Sequence, residues 1–170
     1  FVGLFFEETI NSMFDGNLIL VGSMLYITAL LLFISDFLKL KQNEINFKNS
    51  FIIGLVQAIA ILPGISRSGA TIASAVIMGI DREKAARFSF IMVIPLILGS
   101  MAKSLLDNGL NFENFDVVSL SLGFISAFVT GLFACKWMIL LVKKSKLYYF
   151  SIYCCIVGSI IIYYSLKNGI

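Results

Sequence analysis

Four long apolar stretches alternate with short polar connections along the chain. They run from Leu18 to Leu38, from Phe88 to Leu106, from Val117 to Val142 and from Leu147 to Leu166. A membrane-spanning α-helix needs about 20 mostly apolar residues, and each stretch is close to that length or longer. The pattern therefore predicts an all-α, polytopic membrane protein with about four transmembrane helices, in a single transmembrane domain over residues 1–170.

Residues 51–80 break this pattern. The apolar run that begins at Phe51 stops at Pro63, and the next run, from Thr71 to Ile80, is shorter still. Neither run is long enough to cross a bilayer. Because non-helical backbone is tolerated at membrane depth where protein or a wet cavity surrounds it, the sequence predicts a re-entrant hairpin of two half-helices. A single kinked span is the alternative that the pattern leaves open.

Charged residues in the connections predict the orientation of the spans. Two connections are basic and one is acidic. The first basic connection contains Lys39, Lys41 and Lys48, and the second contains Lys143, Lys144 and Lys146. The acidic connection contains Asp107, Glu113 and Asp116. Because basic connections stay in the cytoplasm, the hairpin is predicted to enter from the cytoplasmic side. The charges of Asp81–Arg87 alternate in sign, which indicates a solvated helix start with Asp81 as its N-cap.

The overall composition excludes several classes of protein. Hydrophobic residues make up 59% and charged residues only 14% of the chain, whereas soluble domains average about 25% charged. The 13 basic and 10 acidic residues are too evenly balanced for a nucleic-acid partner. With no histidine and three cysteines that lack C-x-x-C spacing, the chain offers neither an imidazole base nor a predicted metal site.

The turn from Pro63 to Thr71 carries the candidate chemistry. Arg67 is the only charged residue in residues 51–80, and a charge near mid-membrane costs roughly 2.5–3.5 kcal/mol on insertion scales. It therefore needs an anion or a wet cavity. Hydroxyls and flexible glycines surround it, namely Ser66, Ser68, Thr71, Gly64 and Gly69. Thr71 is predicted to open the second half-helix, whose N-terminal dipole would face the turn, so the pattern predicts a phosphate or diphosphate site.

Two structural alternatives compete with the prediction of a phosphate site, and the sequence does not match the nucleotide P-loop motif. The serines and glycines could only cap helix ends, and Arg67 could pair with Asp36 or Asp81. The nucleotide P-loop pattern G-x-x-x-x-G-K-[ST] is not met, because Ala70 stands where that motif has lysine.

The run QAIAILPGISRSGATI, followed by GIDREKAARFSFIMVIPLILGS, resembles the second signature region of the bacterial undecaprenyl-diphosphate phosphatases of the bacitracin-resistance type. That family's pattern P-G-x-S-R-S-x-x-T is met without exception. The resemblance implies two inverted repeats whose hairpin tips meet inside the bacterial plasma membrane. It also implies a hydrolase that converts undecaprenyl diphosphate to undecaprenyl phosphate, which recycles the carrier for peptidoglycan synthesis and confers bacitracin resistance.

The resemblance further implies roles for the turn. Arg67 is expected to clamp phosphate oxygens, while Ser66, Ser68 and the backbone N–H groups of Gly69 and Ala70 complete an oxyanion cradle. Thr71 is expected to contact phosphate or to cap its half-helix. The implied catalytic residues are Arg67, Ser66, Ser68 and Thr71, and the implied phosphate-binding residues are Gly64, Ser66, Arg67, Ser68, Gly69 and Thr71.

The same family carries E-x-x-x-E and P-x-S-S-T-G-H segments in its first repeat, and neither occurs in this chain. The chain is therefore expected to be the C-terminal part of such an enzyme and to be inactive alone. The ligands of a divalent cation, Mg²⁺ or Ca²⁺, are expected in the missing part. The expected partners are a polyprenyl diphosphate lipid and the bilayer, and a homodimer stays open. The alternative function is a polyprenyl-phosphate flippase or another secondary transporter with broken helices.

Overall fold

The computed structural model describes residues 18–38, 43–108, 117–144 and 147–168. These ranges contain six helices and no β-strand, so the all-α prediction is confirmed. In chain order the helices are α1 (Leu18–Phe37), α2 (Phe47–Ile59), α3 (Arg67–Ile77), α4 (Arg82–Asn108), α5 (Val117–Lys144) and α6 (Tyr148–Asn168).

Helices α1, α4, α5 and α6 are long and apolar enough to cross a membrane, which confirms four candidate spans in the described residues. Helix α4 begins at Arg82, because the Asp81 carboxylate accepts the backbone N–H groups of Glu83 at 3.0 Å and Lys84 at 3.3 Å. The predicted N-cap is therefore confirmed, and the polar start and the apolar span form one continuous helix.

Helices α1 and α6 pack closely through small residues. A Cβ atom built on Gly22 would lie 2.5 Å from Cγ1 of Ile162, and one built on Gly158 would lie 3.1 Å from the carbonyl oxygen of Gly22. The Ser151 hydroxyl also donates to the carbonyl of Ala29 at 2.6 Å. In lipid, where apolar side chains gain little by leaving the solvent, such close approach and interhelical hydrogen bonds hold helices together.

Charged side chains join several helices at one end of the fold. Asp36, near the end of α1, accepts from Arg82 of α4 at 2.6 Å and from the backbone N–H of Leu147 at 3.0 Å. Lys143, near the end of α5, pairs with Glu83 at 2.7 Å. These contacts place the ends of α1 and α5 and the starts of α4 and α6 together, while the cytoplasmic orientation of this end stays a prediction. Of the other charged residues used for orientation, Lys48 and Lys144 are exposed. The rest lie outside the described residues or have undescribed side chains: Lys39, Lys41, Lys146, Asp107, Glu113 and Asp116.

The short helices α2 and α3 contact each other, and their outer ends meet. The backbone N–H of Asn43, before α2, donates to the carbonyl of Gly79, after α3, at 2.9 Å. The Asn43 side-chain amide donates to the carbonyl of Met78 at 2.8 Å. Because the chain enters α2 and leaves α3 at the same end of the pair, the structure favours a helical hairpin over a single kinked span. Its depth in a bilayer, its bounds at residues 51–80 and the inverted repeat stay predictions.

Candidate functional site

Helix α3 begins at Arg67 because Ser66 caps it. The Ser66 hydroxyl accepts the N–H of Gly69 at 3.2 Å, and its carbonyl accepts the N–H of Ala70 at 2.8 Å. Serine is among the preferred N-cap residues because its side chain satisfies a donor of the first turn. The prediction that Thr71 opens this helix is therefore wrong, since the cap starts the helix one turn earlier.

The first turn of α3 presents backbone donors, although not the two that were predicted. The N–H groups of Gly69 and Ala70 are engaged by Ser66, whereas those of Arg67 and Ser68 have no acceptor among the described residues. The first N–H groups of any α-helix lack intrahelical partners, and the macrodipole makes this end positive. The donors available to an anion therefore lie nearer the turn than expected.

Arg67 is half-buried, and no carboxylate of the described residues forms an ion pair with it. Asp36 pairs with Arg82 instead, and Asp81 caps α4. Both carboxylates proposed as alternative partners thus have other roles in the fold. A guanidinium offers five N–H donors in a planar fork that matches phosphate geometry, so Arg67 is available to bind an oxyanion.

Ser68 lies half-buried at the edge of a cavity of about 420 Å³, here named the apolar groove. Its hydroxyl has no partner in the part of the chain that is described. The other lining residues belong to α4 and α5 and are apolar, namely Phe90, Ala134, Cys135, Trp137, Met138 and Leu141. The polar turn thus adjoins a surface suited to a hydrocarbon chain. No motif marked the lining residues of α5, because they are far from the turn in sequence.

Thr71 lies one turn inside α3, and it is only 1% exposed. Its hydroxyl donates to the carbonyl of Arg67 at 2.9 Å and lies 2.7 Å from the Ser89 hydroxyl of α4. A hydroxyl has one proton, so Ser89 donates to Thr71 when Thr71 donates to Arg67. Thr71 and Ser89 therefore support the first turn from inside the fold, and a direct contact of Thr71 with phosphate stays a prediction.

Both glycines of the motif lie where another atom approaches closely. Gly64 has a φ of +92°, and a Cβ atom built on it would lie 2.9 Å from Cα of Val21. A Cβ atom on Gly69 would lie 2.9 Å from the Ser66 hydroxyl that caps the helix. Only glycine adopts such a φ routinely. The structure thus brings Gly64, Ser66, Arg67, Ser68 and Gly69 together in one turn against α1.

The residues that the structure describes contain no group of three or more His, Cys, Asp or Glu side chains that could hold a metal ion. They therefore do not fit the divalent cation that the resemblance implies, and no chemical step of the described residues is routed through a metal.

Comparison with known proteins gives a consistent family. The chain matches the family described as "Bacitracin resistance protein BacA" over residues 1–160. It is 56% identical to an undecaprenyl-diphosphatase of Christiangramia forsetii over 157 residues, which cover 92% of this chain and 60% of that protein. It is also similar to undecaprenyl-diphosphatases of Bacteroides fragilis (49% identical, covering 95% and 62%) and Methanobrevibacter smithii (40%, covering 94% and 58%). The chain thus spans 58–62% of the length of these relatives.

Proposed function

Because this chain belongs to the bacitracin resistance protein BacA family, we propose that it is part of a multi-pass membrane phosphatase. The reaction is hydrolysis of undecaprenyl diphosphate to undecaprenyl phosphate and inorganic phosphate. In a bacterial plasma membrane this recycles the lipid carrier for peptidoglycan synthesis and confers resistance to bacitracin.

The observation that carries this proposal is the turn at Arg67. Within the described residues, the Arg67 guanidinium has no carboxylate partner and the backbone N–H groups of Arg67 and Ser68 have no acceptor, and these groups lie with the Ser68 hydroxyl at the positive end of one helix. A diphosphate supplies the negative oxygens that such donors bind. If the serines and glycines of the turn served only to cap a helix end, the Arg67 guanidinium would remain unexplained.

The chemistry that this turn performs is positioning and charge neutralisation, which dominate phosphoryl transfer. Arg67 binds two non-bridging oxygens of the terminal phosphate through parallel N–H···O bonds. The N–H groups of Arg67 and Ser68 take up charge that develops on the phosphate oxygens in the transition state. Ser66 keeps its own proton for donation, because its oxygen is the acceptor in the cap.

We propose that the general base and the ligands of a divalent cation, Mg²⁺ or Ca²⁺, come from the family's E-x-x-x-E segment, which this chain does not contain. When bound, the cation would neutralise phosphate charge. The 170-residue chain alone is therefore proposed to be inactive, and a homodimer stays a prediction.

The experiment that tests the function measures inorganic phosphate released from undecaprenyl diphosphate in detergent. The 170-residue chain is compared with a full-length protein that contains it. We expect release by the full-length protein and essentially none by the chain alone. Uptake into sealed vesicles without release in detergent would instead identify a transporter or flippase, since transport needs a closed membrane. Equal turnover by the 170-residue chain would refute the proposal that the site is divided.

The apolar groove supports a lipid rather than a soluble diphosphate as substrate, because it begins at Ser68 and is otherwise apolar. In the full-length protein, Ala134→Trp should fill the groove and lower kcat/KM for the undecaprenyl substrate about tenfold, equivalent to about 1.4 kcal/mol. A diphosphate with a two-isoprene tail should be hydrolysed at the unaltered rate.

The matched control for this prediction is Phe133→Trp, which enlarges an exposed neighbour that does not line the groove. Its kcat/KM should be unchanged for both substrates. An equal loss on long and short tails in Ala134→Trp would show that the groove does not hold the hydrocarbon chain.

A further inference from the structure

The backbone N–H of Ser66 precedes the first turn of α3 and therefore has no acceptor within that helix. It donates to the hydroxyl oxygen of Thr28, on α1, at 3.1 Å. Thr28 is completely buried, and its own proton goes to the carbonyl of Met24 at 3.2 Å. The Thr28 hydroxyl is thus used in both directions, as a donor within α1 and as an acceptor from the turn.

Thr28 belongs to one face of α1 on which the turn rests. Val21, Met24 and Thr28 are spaced three and four residues apart, which places them on the same side of a helix. A Cβ atom built on Gly64 would lie 3.0 Å from Cβ of Met24, and one on Gly69 would lie 3.4 Å from the Thr28 methyl carbon. Thr28 is the only polar residue of the three, so it alone can orient the backbone by a hydrogen bond.

The position of this bond links it to the candidate chemistry. The peptide group between Ser66 and Arg67 carries one of the two backbone donors without an acceptor in the described residues. Rotation of the Ser66 backbone would redirect this donor and would weaken the cap that Ser66 makes with Gly69. The hydrogen bond from the Ser66 N–H to Thr28 therefore also fixes the orientation of the N–H groups in the first turn of α3.

We propose that Thr28 is a positioning residue for phosphate binding and phosphoryl transfer, acting through the Ser66 backbone. The inference rests on the proposed function, and it assigns a role to a residue that lies 35 positions before the start of the signature motif at Pro63. Thr28 does not touch the phosphate. It keeps the donors of the turn in the orientation that stabilises the transition state, which is preorganisation in the usual sense.

The test uses Thr28→Val and Thr28→Ser in the full-length protein that contains this chain. Valine keeps the shape of threonine but removes the acceptor, whereas serine keeps the hydroxyl and removes the methyl group. The matched control is Ser23→Ala, because the Ser23 hydroxyl donates to the carbonyl of Ile19 in the same helix, as Thr28 does to Met24, without contacting the turn.

The measurements are kcat and KM for undecaprenyl diphosphate in detergent and the affinity for inorganic diphosphate by calorimetry. Thr28→Val should lower kcat about tenfold, less than the loss from deleting an oxyanion donor itself. KM should change by less than about threefold, because the lipid tail and Arg67 still bind. Thr28→Ser and Ser23→Ala should keep kcat within about threefold of the unmodified protein.

The outcomes separate this inference from the proposed function. If the unmodified protein releases no phosphate, the proposed function is refuted. The affinity for inorganic diphosphate then tests the role of Thr28, and we expect Thr28→Val to bind diphosphate more weakly than Thr28→Ser. Wild-type kcat in Thr28→Val, or equal losses in the valine and serine variants, would overturn the positioning role. If the valine variant does not fold, Thr28→Cys replaces it, since a thiol is a weaker acceptor. A kcat for that variant as high as that of Thr28→Ser would also overturn the proposal.

Discussion

Arg67→Lys in the full-length protein is expected to lower kcat for undecaprenyl diphosphate at least about 100-fold, the scale of losing an oxyanion donor. The variant should fold, because no carboxylate of the described residues depends on Arg67 for an ion pair. Lysine keeps the positive charge but cannot reproduce two parallel N–H···O bonds to one phosphate. Phosphate release in detergent measures the effect.

The matched control is Arg87→Lys. Arg87 lies on α4, is exposed, and pairs with Glu83 of the same helix at 2.7 Å, a bond that lysine can replace. Its activity should be that of the unmodified protein. A rate within about threefold of wild type for Arg67→Lys would contradict bidentate binding of phosphate by Arg67.

Gly64→Ala should abolish most activity and also destabilise the protein. The φ of Gly64 is +92°, and the added methyl group would meet the backbone of Val21 on α1. A left-handed backbone costs a non-glycine residue roughly 1–2 kcal/mol, and the collision with backbone atoms adds to that cost. The turn would have to leave its seat on α1, which separates Ser66 from Thr28. Thermal unfolding in detergent and phosphate release measure the two effects.

Gly54→Ala is the matched control for this change. Gly54 lies inside α2, and a Cβ atom there would meet nothing within 4 Å. Replacing a helical glycine by alanine should leave activity unchanged and stabilise the helix by about 0.8–1 kcal/mol. If Gly64→Ala unfolds at the same temperature as Gly54→Ala and keeps full activity, the turn does not need its close contact with α1.

Much of the fold followed from local pattern. Four apolar stretches predicted four candidate spans, and the alternating charges after Asp81 predicted a helix start that the carboxylate indeed caps. The break at Pro63 predicted two short helices joined by a turn. These predictions held because hydrophobic length, capping and helix breaking are properties of neighbouring residues, which sequence displays directly.

The start of α3 was misjudged within the same local pattern. Thr71 was predicted to open the second half-helix, but the Ser66 hydroxyl accepts the Gly69 N–H and the helix starts earlier, at Arg67. A serine placed so that its hydroxyl can accept an N–H of the first helical turn, three residues later, is a capping signal that sequence can show. In this chain the capping signal of Ser66 stands between two flexible glycines, Gly64 and Gly69, and the hydrogen bond in the structure shows that the cap starts the helix.

By itself, the sequence determined that the chain lies in a membrane and that its polar chemistry is concentrated around Arg67. Only the tertiary structure decided which groups hold that chemistry in place: Thr28 on the Ser66 N–H, Ser89 on Thr71, and the apolar groove beside Ser68. The physical reason is distance along the chain. A hydrogen bond between residues 38 positions apart leaves no periodic or compositional trace, because it exists only after α1 and the hairpin have packed.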